Sequence, residues 1–356
     1  MSQNTRPSNR RRGAKKASAG GGNAVYRLGL IGALVWFWHS PDVSTGGRPL
    51  RGLLVDAAAT AVTAVRRAAV AIRPLETVEQ LQDACTVLDR VWDVPPGRPS
   101  KIQPHLLRAL GHGGNYVVGA YQPGETMVGA SVAFFTAPLG SAMQSHITGV
   151  LPGKAGSGIG AALKWHQRQW ALERGLTKIT WTYDPLIARN SYFNLTRLGA
   201  RPDSYFVDFY GVMDDGQNRG QPTDRMQVCW DLAAASTGEA ERAVLQGRAA
   251  GGGPDVGWWI GAGAVTLLSA GPAGEPVRGP LVDPTVTSAV IGIPADIEQI
   301  RRTDPPLALS WRFALRSTLA SVMADGAWKV TGFARSGWYL VERPSPGRGM
   351  MGRAGR

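Results

Sequence analysis

The sequence predicts an α/β fold, α+β in the stricter sense, with a mixed central sheet flanked by helices. Three observations predict it. A strand, a glycine loop and a helix follow one another in the stretch SHITGVLPGKAGSGIGAAL, Ser145 to Leu163. The periodic segments of the middle of the chain run β-α-α-β-β-β-α-β-α-β. Hydrophobic residues make up 44% of 356 residues, enough to bury a sizeable core.

The chain opens on Ser, Asn, Arg, Lys and Gly, a composition that disfavours a packed core. Leu28 to Trp38 is an apolar run too short to span a bilayer. Val55 to Ala71 reads as an Ala/Val-rich helix. Ala71 to Leu75 is a short strand. Glu79 to Trp92 is an amphipathic helix with Leu81, Ala84, Cys85, Leu88 and Trp92 on one face. A short helix covers Pro104 to Leu110. Asn115 to Tyr121 and Met127 to Phe135 form a hairpin around Pro123-Gly124. Ser145 to Leu151 is the next strand, stopped by Pro152. Ile159 to Arg174 is a long helix ended by Gly175. Then come a strand at Lys178 to Tyr183, a helix at Ile187 to Arg197 ended at Gly199, and a strand at Tyr205 to Val212. Further on, Val228 to Leu232 is a strand, and the Gly/Ala stretch from Gly247 to Pro280 reads as a flexible inserted loop. Segments at Ile291 to Ile300, Ala308 to Ala324, Val330 to Phe333 and Trp338 to Leu340 complete the pattern. The expected divisions are a basic tail and helical lead-in (1–68), a core (69–213), a C-terminal extension packing on it (214–345) and a second basic tail (346–356).

The net charge is +13. Six Arg/Lys lie in Met1 to Lys16 and four Arg in Arg343 to Arg356, with no acid in either stretch. The excess therefore sits in the ends and not on a face, so no specific nucleic-acid partner is expected. Cys85 and Cys229 lack metal spacing and read as reduced, packed thiols of a cytoplasmic protein; no metal site is expected.

The chemistry concentrates in the glycine loop. Its N–H groups and those of the first helical turn converge on one spot, where the helix dipole adds positive charge. Such a seat suits a phosphate or pyrophosphate. A P-loop is excluded, since Lys164 lies too far into the helix. A dinucleotide fingerprint matches literally at Gly156-Ser157-Gly158-Ile159-Gly160-Ala161, with Asp184 after the next strand, but no βαβ alternation continues. A plain glycine turn that binds nothing is another reading, and a third comes from a family resemblance.

The segments GSGIGAALKWHQRQWALERG, KITWTYDPL, RNSYFNLTRLGA and SYFVDFYG resemble the GNAT acyltransferase superfamily. The resemblance covers about Ala71 to Glu342. It is nearer to a subgroup of predicted GNAT acyltransferases with DPL-x-x-RN, here Asp184 to Asn190, and a long C-terminal extension. It implies a GNAT acyl-CoA acyltransferase fold with a C-terminal α/β extension. In that fold the strand before the glycine loop splays from its neighbour and holds the pantetheine. Donor contacts would then come from Thr148, Gly149, Val150, Leu151, Lys154, Gly156, Ser157, Gly158, Ile159, Gly160 and Asn190. The family's Arg or Gln falls on Ala155, and its tyrosine before the "LG" of the later helix falls on Leu195. Both are departures.

Acyl transfer to an amine needs a polarised carbonyl, a proton acceptor and a proton donor for the thiolate. By the period of two, His146 shares a strand face with Thr148 and Val150 and is the candidate base. Tyr192 is the candidate acid, with Tyr183 and Tyr210 behind it. Asp184 and Arg189 are candidate acceptor contacts, Arg189 for a carboxylate. A helix-capping role for that cluster is the structural alternative. His166 reads as solvated. The resemblance implies an N-acyltransferase of the EC 2.3.1 type, using acetyl-CoA or another acyl-CoA on a small amine or amino-acid-like acceptor, with no membrane span. A homodimer is compatible with it. A GNAT-like CoA-binding module without catalysis is the alternative.

Overall fold

The computed structural model describes residues 44–45, 48–211, 213, 218, 220–247, 255–280, 285–324 and 326–343. The expectations for residues 1–24, Leu28 to Trp38 and 346–356 lie outside them. Ser44 to Arg343 belongs to one compact unit.

Ser44–Thr45 pairs with Arg48–Pro49 in a small ribbon, and α1 (Leu50–Arg67) follows. The strands β1 (Ala71–Pro74), β2 (Tyr116–Gln122), β3 (Thr126–Phe135), β4 (Met143–Val150), β5 (Lys178–Tyr183), β6 (Arg201–Phe206) and β7 (Arg225–Asp231) form one sheet in the order β1-β2-β3-β4-β5-β7-β6. Every neighbouring pair is antiparallel except β4 with β5. Helices α2 (Val78–Val91) and α3 (Pro104–His112) cover one face, where Leu81, Leu88, Leu107, Val132 and Ile147 meet. Thr77 and Gln80 start α2 with a capping box: Thr77 Oγ1 accepts from Gln80 N, and Gln80 Oε1 accepts from Thr77 N. Helix α4 (Ile159–Leu172) covers the other face, α1 lies over α4, and the short α5 (Ala188–Ser191) follows β5. Being covered on two sides, α4 buries Trp165, Lys164, Gln167 and Arg168 as well as Ile159 and Leu163.

Three sequence expectations need correction here. Strand β6 is Arg201–Phe206, not Tyr205 to Val212. The chain turns at Asp208 instead, at φ 47°. That turn is closed by Asp208 N donating to Asp224 Oδ1 (3.0 Å) and Thr223 N donating to Asp208 Oδ1 (2.9 Å). Strand β7, read as part of the extension, inserts between β5 and β6 in the first sheet. Finally, 247–280 is not a loop throughout: it holds α7 (Val256–Gly261), β8 (Val265–Ala270) and β9 (Pro276–Arg278), after α6 (Ala235–Leu245).

Together with β10 (Ser288–Gly292), β11 (Lys329–Ala334) and β12 (Trp338–Glu342), β8 and β9 build a second sheet, β9-β8-β10-β12-β11. Helices α8 (Ile297–Thr303) and α9 (Pro305–Ala324) connect it to the first. The end of β5 is tied to them by Asp184, which accepts from Arg301 of α8 (2.6 Å) and Arg312 of α9 (2.7 Å). Tyr339 of β12 donates to Pro185 O (2.6 Å) and pairs with Ser191 Oγ (2.7 Å).

Candidate functional site

The site begins where β4 and β5 part. They pair only at Met143 with Ile179 and Gln144 with Thr180. Just beyond, β4 carries a β-bulge: Val132 of β3 faces Ile147, and Ala133 faces Ser145, so His146 is the inserted residue. A bulge bends its strand and raises the local twist. The edge of β4 after Gln144 is therefore left unpaired by β5, and the two strands open as a fork.

The fork opens into a cavity of about 490 Å³ lined from both sheet faces. Ser145, Thr148, Gly160 and Lys164 line it on the α4 side, and Trp92, Lys101, His146 and Ile147 on the α2 side. Beyond β5 the wall is Asn190, Phe193, Asn194, Tyr210, Arg225 and Arg301. The loop between β4 and α4 is exposed, and Val150 before it and Gly160 after it line the cavity. Gly153, Gly156 and Gly158 take φ between 81° and 88°, the left-handed region that favours glycine. Gly158 is the N-cap of α4 without a side-chain cap, and Ser157 Oγ folds back to donate to Lys154 O (2.6 Å). The first-turn amides of α4 are thus not capped by a side chain.

The order, the fork and the loop are what the resemblance implied. The fold is of the GNAT type. No family model matches the chain, and no curated protein matches it. Similar solved structures include the ribosomal-protein-S18-alanine N-acetyltransferase of Escherichia coli (16% identity, 47% of this chain and 96% of that one, TM-score 0.37). Others are Mycobacterium smegmatis RimJ in complex with CoA-disulfide (20%, 51% and 91%, 0.39) and the IAA acetyltransferase of Bacillus cereus (17%, 46% and 99%, 0.35). The chain's own strand order and fork carry the fold type without them.

The GNAT-type fork brings some expected residues together and sets others aside. Thr148 and Val150 line the cavity, Thr148 with its hydroxyl 2.8 Å from Ser131 Oγ. Gly149 faces α2, where a Cβ would come within 2.9 Å of Trp92; its need for glycine is packing. Leu151 packs with the α2 cluster, and Ile159 is buried in the core, so neither side chain faces the cavity. Lys154, Gly156, Ser157 and Gly158 stay exposed on the loop. Asn190 reaches the cavity.

His146 lines the cavity, but not on the face of Thr148. The bulge breaks the alternation, and its ring lies 5.8 Å from Phe134, on the Val132–Ile147 side. Desolvation lowers its pKa. Tyr192 opens a π-turn, Tyr192–Arg197, and packs on the core away from the cavity; Leu195 is buried beside it. Tyr183 and Tyr210 do line it. Burial drives the Tyr183 phenol far above its ordinary range, whereas Tyr210 is half exposed and pairs with Thr182 Oγ1 at 3.2 Å.

Asp184 lines the cavity, yet its carboxylate is already used by Arg301, Arg312 and Leu186 N. Burial alone would raise its pKa; the arginines outweigh this and hold it far below the carboxylate range. Arg189 is exposed, paired with Glu298, and off the cavity. His166 is not solvated: Tyr116 Oη lies 2.9 Å from its Nδ1, and burial pushes its pKa down to about 4.

The sequence reading missed a buried polar chain behind the fork. Lys164 Nζ donates to Ser145 Oγ (2.8 Å) and Gln167 Oε1 (3.3 Å), and Gln167 Nε2 donates to Ser131 Oγ (3.4 Å). Lys164 also stands 3.9 Å above the Trp181 ring. Lys164 and Gln167 sit three apart on a helix, so they share a face; that spacing was the available signal. Arg301 was missed for want of any local pattern, whereas Arg225, which the sequence offers with Thr223 and Asp224 as an acceptor-side or packing residue, does line the cavity.

Proposed function

We propose that this chain is an acyl-CoA-dependent N-acyltransferase, with acetyl-CoA the simplest donor. The observation that carries the reading is the fork: an unpaired β4 edge leading from a helix N-terminus without a side-chain cap into a cavity lined from both sheet faces. The loop and the first amides of α4 would take the pyrophosphate. The free edge of β4 would hydrogen-bond the pantetheine amides as a strand partner does. The thioester would then lie in the cavity with its carbonyl against β4. The acceptor would enter from the α2 side, where His146, beside Phe134, would take the amine proton. Tyr210 is the phenol available to the leaving thiolate.

The wall chemistry favours an acceptor bearing a carboxylate, such as an amino acid. Lys101, Arg225 and Arg301 line the cavity, and the lining acid, Asp184, is neutralised by Arg301 and Arg312. The reading places the chain in the cytoplasm, where acyl-CoA is used; no helix among the described residues is long and apolar enough to cross a membrane. A CoA-binding module without turnover has one observation in its favour, the absence of Tyr192 and Leu195 from the cavity.

Calorimetry with CoA, and thiol release from acetyl-CoA over a panel of amino acids and amines, test both. Binding with release on any amine supports the enzyme. Binding without release on all of them supports the module. Gly160→Glu is the matched variant: a Cβ there meets nothing nearer than Val150 at 3.9 Å, so the helix tolerates it, while a carboxylate enters the seat. CoA affinity is expected to fall at least ~10²-fold, as repulsion between like charges costs several kcal/mol. Unchanged affinity sinks the loop assignment.

A further inference from the structure

Lys164 is 5% exposed, lies on α4 and reaches the point where the strands separate. Its Nζ touches Ser145, the first β4 residue past the last β4–β5 pair, and the face of Trp181, the β5 residue after Thr180. The amine therefore spans the crotch of the fork and faces the cavity. Among the described residues it has no carboxylate partner within ion-pair distance. A buried ammonium without an anion is costly, and the group sheds its proton instead.

We propose that Lys164 is a self-acylation site: its amine attacks the carbonyl of an acyl-CoA seated in the fork. The proposal rests on the acyl-CoA reading above. In the step, the Nζ lone pair forms the C–N bond and the C–S bond breaks. The proton lost by nitrogen ends on the CoA thiolate, directly or through water. The products are an Nε-acyl-lysine and free CoA thiol, and no further reactant is needed. Ser145 Oγ and Gln167 Oε1 accept the two N–H groups of the neutral amine, which leaves its lone pair unengaged by either. An acyl group there would occupy the fork and abolish the amine's titration.

Burial lowers the Lys164 pKa to about 7. The other ionisable groups around the same cavity are His146 of β4, Tyr183 and Asp184 at the end of β5, Tyr210 after β6, Arg225 of β7, Arg301 of α8 and Lys101 before α3. Asp184, the acid among them, is held by Arg301 and Arg312. On α4 itself, His166 turns to Tyr116 and Arg168 to Glu241. At neutral pH about half of Lys164 is then neutral, against roughly one in a thousand for a solvated lysine.

The test uses the full chain and acetyl-CoA, with no acceptor amine. CoA binding is measured by calorimetry, and acetylation by intact mass, peptide mapping and thiol release over time. The expected result is one acetyl group on Lys164 with matching CoA release. It should form on the order of 10²-fold faster than on exposed Lys154 or Lys178, with a rate rising through neutral pH. Lys164→Arg, checked for folding by circular dichroism, should lack the adduct; if it misfolds, the wild-type map decides. Bound CoA with no acetyl group on Lys164, or no preference over the exposed lysines, overturns self-acylation and leaves the acyl-CoA reading standing. No CoA binding overturns both.

Discussion

Lys164 has a signature at the level of one residue that needs no ligand. In the unfolded chain its amine keeps a proton up to the ordinary lysine range; in the fold, burial brings that down to about 7. Between those values the unfolded state binds the extra proton. Stability therefore rises with pH across the window from about 7 upward, by at most ~1.4 kcal/mol per pH unit. Cys85 and Tyr116 act in the opposite sense at higher pH, since burial raises both. The informative quantity is therefore the difference between wild type and Lys164→Met from pH 6 to 9, measured by urea melts. Wild type should gain on the variant as pH rises. Parallel curves would mean that the amine is charged and solvated in the fold. His146 illustrates what one residue hides in sequence. The period of two that placed it with Thr148 assumes an unbroken ladder, and an inserted residue leaves no trace in composition.

Among elements, α4 is the one that the rest hold in place. Arg168 donates to Glu241 of α6 (2.6 Å) and to Leu232 O (2.9 Å), while Thr60 of α1 donates to the same Glu241 (3.1 Å). Both members of the ion pair are buried, so breaking it strands a charge. Glu241→Gln and Arg168→Met should each cost about 3–5 kcal/mol in denaturant melts. Thr60→Val should cost only ~1 kcal/mol, because it removes one neutral donor. The double change at Arg168 and Glu241 should cost well under the sum. Costs near zero for the single changes would show the pair to be solvent-accessible in solution. Elements with a strong period were legible in sequence. Strands β2 to β5 and helices α2 and α4 fall within a few residues of their expected bounds. Elements whose partners are distant in the chain were not. Strand β8 is bounded by Gly263 and Gly271 and gains its identity only by pairing with β9 and β10. Arg225 and Arg301 reach the cavity through such distant contacts, whereas the glycine loop announces itself within a few residues.

For the whole molecule, two sheets are coupled through the end of β5, so the wall of the cavity is built by residues from both halves of the chain. That is why the far wall of the cavity is hard to read from the sequence while the glycine loop is not. The loop is a local motif; the wall is an assembly. The bulge on β4 rests on one residue. Removing His146 leaves the register on either side intact, since Ser145 already faces Ala133 and Ile147 already faces Val132. Loss of that one codon should give a folded chain whose β4 runs straight and zips onto β5 past Gln144. The opening in the sheet would be sealed, and CoA binding in calorimetry should vanish while the thermal melt stays cooperative. Retained binding in the deletion would show that the strands part for another reason. On this expectation a closed sheet and a forked one are a single in-frame deletion apart.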